Sequence, residues 1–165
     1  MLHHSPSAPS PTLSRITTAD DADWCATLMA GSDPWVTLGR TFAQSLAIMQ
    51  DPAREVFLAM VDGERVGFVV LWMAGPFSGY LQSLCLAPAW RGRGIGGAVL
   101  ALAEAWVFER SPNVFLCVSS FNPDARRLYE RAGYTLVGEL PEFMVAGHSE
   151  YLFRKTRGPL SSVQG

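Results

Sequence analysis

Leu81-Gln82-Ser83-Leu84-Cys85-Leu86-Ala87-Pro88-Ala89-Trp90-Arg91-Gly92-Arg93-Gly94-Ile95-Gly96-Gly97-Ala98-Val99-Leu100-Ala101-Leu102-Ala103-Glu104-Ala105-Trp106 carries the fold decision in one run of chain. Leu81 to Leu86 first alternates and then runs apolar, the pattern of a buried strand. Pro88 ends it, because proline has no N–H for a sheet ladder. Four glycines and two arginines follow between Arg91 and Gly97, and Ala98 to Trp106 is strong helix-forming sequence. Glycine lets a loop backbone take positive φ and approach a ligand closely. The loop N–H groups and the helix start then converge on one point of positive potential, which suits a phosphate or pyrophosphate. Arg91 and Arg93 add forked donors for phosphate oxygens.

Gly92, Gly94 and Gly97 also satisfy G-x-G-x-x-G, so a nucleotide-binding domain is a rival reading. Its context fails. That fingerprint places the first glycine close behind the strand and an acidic residue about 20 positions on, for the ribose. Here Ala87 to Arg91 intervene, and the next strand, Val114 to Val118, runs into Ser119-Ser120-Phe121-Asn122 without a carboxylate. The Walker lysine is absent as well.

A second stretch agrees with the first. Asn122-Pro123-Asp124-Ala125-Arg126-Arg127-Leu128-Tyr129-Glu130-Arg131-Ala132-Gly133-Tyr134 is an asparagine, a helix, a tyrosine and a Gly-aromatic pair. Together with Arg91-x-x-Gly94-x-Gly96 behind an apolar strand and Pro88, it resembles the GNAT family of N-acetyltransferases. The branch most similar in pattern is the ribosomal-protein N-terminal alanine acetyltransferases. The resemblance covers about Leu13 to Arg154. It implies an acetyl-CoA donor, an amine acceptor, no metal and no nucleic acid. Arg91, Gly92, Arg93, Gly94, Ile95, Gly96 and Gly97 would hold the pyrophosphate. Backbone groups of Leu84, Cys85 and Leu86 would hold pantetheine and polarise the thioester carbonyl. Asn122 would contact pantetheine, although before Pro123 it also reads as a helix cap. Tyr129 would be the general acid, since a phenol with pKa near ~10 keeps its proton at neutral pH. Two helical turns separate it from Asn122, so both can face one cleft, and an aromatic anchor is its other reading.

The base is where the pattern departs. That branch has a glutamate five residues before the asparagine, where this chain has Cys117. Glu139, Glu142 and His148, in or beside the last loop, are the substitutes within reach. Without a strong carboxylate base the acceptor is expected to be an α-amine, pKa ~7.7 to 8.0, rather than a lysine, which is only about 0.1% neutral at pH 7.5. Trp35, Glu142 and Phe143 fall where the resemblance places the acceptor walls. Read as an exposed tryptophan and phenylalanine with carboxylates, they suit an apolar cation or a peptide N-terminus. Lid packing or a homodimer contact is their other use. A non-catalytic acyl-CoA-binding module of the same fold is the alternative function.

Composition bounds the rest. The 165 residues are 48% apolar and 17% charged, with net charge −2, which describes one globular domain and no broad polyanion-binding surface. Cys25, Cys85 and Cys117 are odd in number and scattered, without disulfide or zinc spacing, as expected in the cytoplasm. No apolar run reaches the ~18 to 20 residues of a membrane span. Residues 1–12 read as a tail whose His3 and His4 are incidental, residues 13–156 as the N-acetyltransferase domain, and 157–165 as a second tail.

The elements follow in order. Leu13 to Thr17 reads as a strand. Asp20 caps a helix to Ala30, with Trp24, Cys25 and Leu28 inward. Thr37 caps a second helix, Leu38 to Gln50, with Phe42, Leu46 and Met49 on one stripe. Asp62-Gly63 joins Glu55–Val61 to Arg65–Met73 as a hairpin. Thr135–Glu139 and Glu150–Arg154 form the last hairpin. The order β-α-α-β-β-β-α-β-α-β-β predicts an α/β (α+β) fold, a mixed, mostly antiparallel sheet with helices on both faces. The resemblance adds that strands Leu81–Leu86 and Val114–Val118 splay apart around pantetheine.

Overall fold

A computed structural model describes residues 9–163. His3 and His4 lie outside the described residues. The elements are β1 (Thr12–Arg15), α1 (Ala19–Ala30), α2 (Phe42–Gln50), β2 (Glu55–Val61), β3 (Glu64–Trp72), β4 (Tyr80–Leu86), α3 (Ile95–Phe108), β5 (Asn113–Ser119), α4 (Pro123–Arg131), β6 (Thr135–Pro141) and β7 (Ser149–Thr156). This is the order expected. β1 begins one residue inside the expected tail, and a short 3-10 turn at Leu160–Val163 occupies the other tail.

The strands form one seven-stranded sheet, β1-β2-β3-β4-β5-β7-β6. All neighbours are antiparallel except β4 and β5. The β2–β3 hairpin turns on Asp62 and Gly63, both at positive φ (48° and 81°), the backbone of a type I′ turn. One face of the sheet packs against α3 and α4 through Phe57, Val69, Leu71, Val99, Leu100, Leu116 and Phe153. The other packs against α1 and α2 through Cys25, Met29, Met49, Phe68, Val70 and Cys85. Burial pushes the Cys25 thiol up to about 12, so it behaves as a small apolar side chain. No helix among the described residues is long and apolar enough to cross a membrane.

Two helix starts depart from expectation. Thr18, not Asp20, caps α1, its side chain accepting from the Asp21 N–H. The inward face is Ala22, Cys25, Ala26 and Met29, with Trp24 and Leu28 only half-buried beside it. Asp21 is instead tied to Arg65 of β3. The second helix starts four residues late. Thr41 and Gln44 form a reciprocal capping box, which satisfies two helix-end donors at once and outcompetes a lone threonine. Residues 32–39 become turns, where Asp33 accepts from the Thr37 N–H and hydroxyl. Phe42 is consequently 44% exposed while Met49 is buried.

Candidate active site

β4 and β5 share a single paired couple, Tyr80 and Phe115, braced by the Phe115 N–H donating to the Gly79 carbonyl. Beyond it the strands part, and backbone groups on that edge of β4 have no ladder partner from β5. A register shift at Val70/Leu71 makes Leu81 and Gln82 face one β3 residue, a bulge that re-aims β4 next to the gap. The gap opens into a cleft of about 210 Å³ lined by β4 (Tyr80 to Leu84), β5 (Cys117 to Ser119) and α4 (Asn122, Ala125, Tyr129). The α1–α2 segment (Trp35, Arg40), the last loop (Phe143, Met144) and Glu150 of β7 close it. Of the three β4 residues expected to hold pantetheine, Leu84 lines the cleft; Cys85 and Leu86 turn their side chains into opposite cores.

The glycine loop takes the left-handed backbone that its glycines allow. Gly92 and Gly94 sit at φ 70° and 78°, and a Cβ at either would meet nothing within 4 Å, so only the backbone twist requires glycine there. Gly94 caps α3 without any side-chain hydrogen bond, which leaves the first-turn N–H groups of α3 open to a phosphate. Ile95 is buried and pins this end of α3. Gly96 and Gly97 lie inside the helix, where a Cβ would stand 3.8 and 4.0 Å from Leu128 of α4. Arg91 has partners within the chain. Its Nε donates to the Leu86 carbonyl (3.0 Å) and its Nη2 to the Ser32 hydroxyl (3.3 Å), clasping the end of β4 to the α1–α2 segment. Arg93 lies 5.1 Å from the Trp90 ring.

Asn122 is the N-cap of α4, accepting from the Ala125 N–H at 3.3 Å, and it also borders the cleft. Tyr129 borders the same cleft, is 7% exposed and packs edge-on against Tyr134 with ring centroids 5.6 Å apart. Burial, aided by Cys85, pushes its phenol above the ordinary range, so it holds its proton at neutral pH.

The expected bases are not in the cleft. Glu139 accepts from the Ser149 hydroxyl. His148 packs on Phe121 with ring centroids 4.8 Å apart. Glu142, at φ 55°, accepts the Gly147 N–H with both oxygens and so closes its own loop. It contributes no side chain to the acceptor wall, whereas Phe143 does. Trp35 also lines the cleft, but it is 8% exposed and leans on Phe68, not the exposed ring expected.

Glu150 is the carboxylate that sequence reasoning missed. It is 5% exposed and pairs across the sheet with Ser119, whose hydroxyl donates to Oε1 at 2.6 Å. Burial raises its pKa, and the Ser119 bond partly offsets this. Oε2 has no hydrogen-bond partner among the described residues. Burial likewise raises Tyr80 and Cys117, which lie against each other, with Glu150 adding to both. These two stay neutral, and Glu150 is the one acidic side chain lining the cleft. Its only trace in the sequence is a charged residue at the start of a strand.

The comparisons with known proteins agree with this geometry. The family model described as Acetyltransferase (GNAT) family matches residues 18–134. The N-alpha-acetyltransferase RimI of Mycobacterium tuberculosis is 32% identical over 149 residues, 86% of this chain and 90% of that protein. An aminoglycoside N(6′)-acetyltransferase type 1 of Stenotrophomonas maltophilia is 38% identical over 113 residues, 60% of this chain and 69% of that one. The spermidine N-acetyltransferase from Vibrio cholerae, solved with CoA and spermine, superposes with a TM-score of 0.72 at 18% identity, covering 90% of this chain and 96% of that one. An aminoglycoside 6′-N-acetyltransferase complexed with coenzyme A gives 0.71 at 21% identity, over 90% and 98%. The chain belongs to the GNAT acetyltransferase family, enzymes that N-acetylate with acetyl-CoA as donor.

Proposed function

We propose that this enzyme acetylates an α-amine, on a peptide N-terminus or a small amino compound, by direct attack in a ternary complex. The observation that carries the reading is one cleft at the β4–β5 parting that brings together Tyr129, Asn122 and Glu150. Acetyl-CoA supplies the acetyl group as a thioester when bound. The Gly92–Gly97 loop and the uncapped start of α3 fit its pyrophosphate, and the unpaired edge of β4 fits its pantetheine. The β4 N–H groups donate to the carbonyl where negative charge develops. Glu150 takes the amine proton, its raised pKa making it a better match to neutral pH than an exposed carboxylate. Tyr129 returns a proton to the departing sulfur. The likeness to a protein named as an N-alpha-acetyltransferase supports the α-amine. So does the arithmetic of protonation, since one half-tied carboxylate has far less to do for an α-amine than for a lysine.

Free-thiol release from acetyl-CoA across α-amines, lysine and polyamines tests this, with wild type set against Tyr129→Phe. The expected result is turnover of α-amines and a loss of about a hundredfold in kcat for Tyr129→Phe. Acetyl-CoA binding without turnover of any amine would mark a non-catalytic acyl-CoA-binding module. A Tyr129→Phe enzyme at full rate would remove the acid.

A further inference from the structure

We infer that Arg40 selects acceptors that carry a carboxylate beside the amine, an inference that rests on the α-amine reading above. Arg40 borders the cleft with Trp72, Tyr80 and Glu150, and also borders a neighbouring hollow with Gln44, Gln82 and Met144. Its own place is fixed by its N–H donating to the Trp35 carbonyl at 2.9 Å. Among the described residues its guanidinium enters no ion pair, as is also true of Arg91, Arg93, Arg131, Arg154 and Arg157, but Arg40 is the one cation in the cleft lining. Burial lowers the pKa of Arg40, the direction expected of a charge removed from water without a counterion.

No carboxylate among the described residues forms an ion pair with it, Glu150 included, although only one Glu150 oxygen is taken by Ser119. Glu150, the one acidic side chain lining either hollow, is held by Ser119. Asp33 is held by Thr37, Asp51 by Arg54, and Glu142 by Gly147. Arg40 also immediately precedes Thr41, the N-cap of α2, where the helix dipole makes a cation unfavourable. Fold stability therefore gives no reason for this charge, and a bound anion does. With Glu150 toward the amine and Arg40 separate from it, the cleft complements an acceptor with an amine at one end and a carboxylate at the other. Polycations such as polyamines meet the wrong charge at Arg40. The carboxylate can come from an acidic side chain near a peptide N-terminus or from a free amino acid.

The test compares kcat/KM for Ala-Glu-Ala amide, Ala-Gln-Ala amide, Ala-Lys-Ala amide, free alanine and spermidine, with wild type, Arg40→Gln and Arg40→Glu. The wild type should favour the Glu peptide over the Lys peptide by about tenfold to a hundredfold, the range of a charge-assisted hydrogen bond. A preference for free alanine would assign the carboxylate to an amino acid instead. Either ranking should collapse in Arg40→Gln and reverse toward Ala-Lys-Ala amide in Arg40→Glu, with acetyl-CoA affinity unchanged. An unaltered ranking in Arg40→Glu, or weakened acetyl-CoA binding as the sole effect, overturns the inference. Tryptophan fluorescence on binding the N-acetylated Glu and Lys peptides reads the same charge preference without turnover, because Trp35 and Trp72 line the cleft. If that preference holds while no α-amine is acetylated, the catalytic reading fails and the Arg40 inference stands.

Discussion

Glu150 carries opposite consequences for stability and for chemistry. Its folded pKa is raised by burial, so the folded state holds this proton to higher pH than the unfolded chain does. The sign follows from linkage: the neutral form's stability is present below the ordinary carboxylate range and lost as pH rises toward the raised value. Above the ordinary carboxylate range the burial of Glu150 therefore costs the fold stability. Glu150→Gln should melt higher than wild type at pH 7, with the gap closing near pH 4, while kcat falls and loses its acidic limb. Thermal melts at both pH values beside a pH–rate profile check this. An unchanged kcat would remove Glu150 as base. Ser119 of β5 holds Glu150 of the neighbouring β7 through its hydroxyl.

At the scale of elements, the start of α3 and the start of α2 show two ways of finishing a helix. α2 closes its own end with the Thr41–Gln44 capping box, a feature worth about 1 kcal/mol. α3 leaves its end open behind Gly94. An unfinished helix end is useful only to a ligand that finishes it. Gly94→Ala places a Cβ in empty space but at φ 78°, a left-handed conformation that costs roughly 1–2 kcal/mol for a residue with a side chain. Its expected effect is weaker acetyl-CoA binding by about tenfold, seen by calorimetry, beside a stability loss of about 1–2 kcal/mol. A Gly94→Ala variant that binds acetyl-CoA normally would show that the loop geometry is not what holds the donor.

The whole molecule is a sheet held together on two faces and opened at one seam. Phe153 of β7 is 1% exposed in the α3/α4 core, across from Leu116 of β5. Phe153→Ala should cost about 3–5 kcal/mol, measured by urea unfolding, because it empties the core beside the seam. Retention of nearly full stability would mean that this core collapses to refill the space.

The order of elements, the Asp62-Gly63 hairpin, the glycine loop and the Asn122–Tyr129 helix were all legible from local chemistry, because strand alternation, turn conformations and helix-start glycines act over a few neighbouring residues. The sites of Thr18 and Thr41 were not, since adjacent Thr and Asp residues compete for the same helix end and only the packed result decides. The role of Arg91 was likewise hidden, because its partners, Leu86 and Ser32, come from separate elements. The sequence by itself therefore determined the family, the fold and the glycine loop that opens α3. Only the tertiary structure decided the rest of the cleft, leaving Glu139, Glu142 and His148 outside it and placing Glu150 and Arg40 in its lining. The physical reason is that a donor cradle is built from consecutive backbone groups. An acceptor cleft is built from side chains on β4, β5, β7 and two distant loops, whose meeting depends on strand pairing and packing.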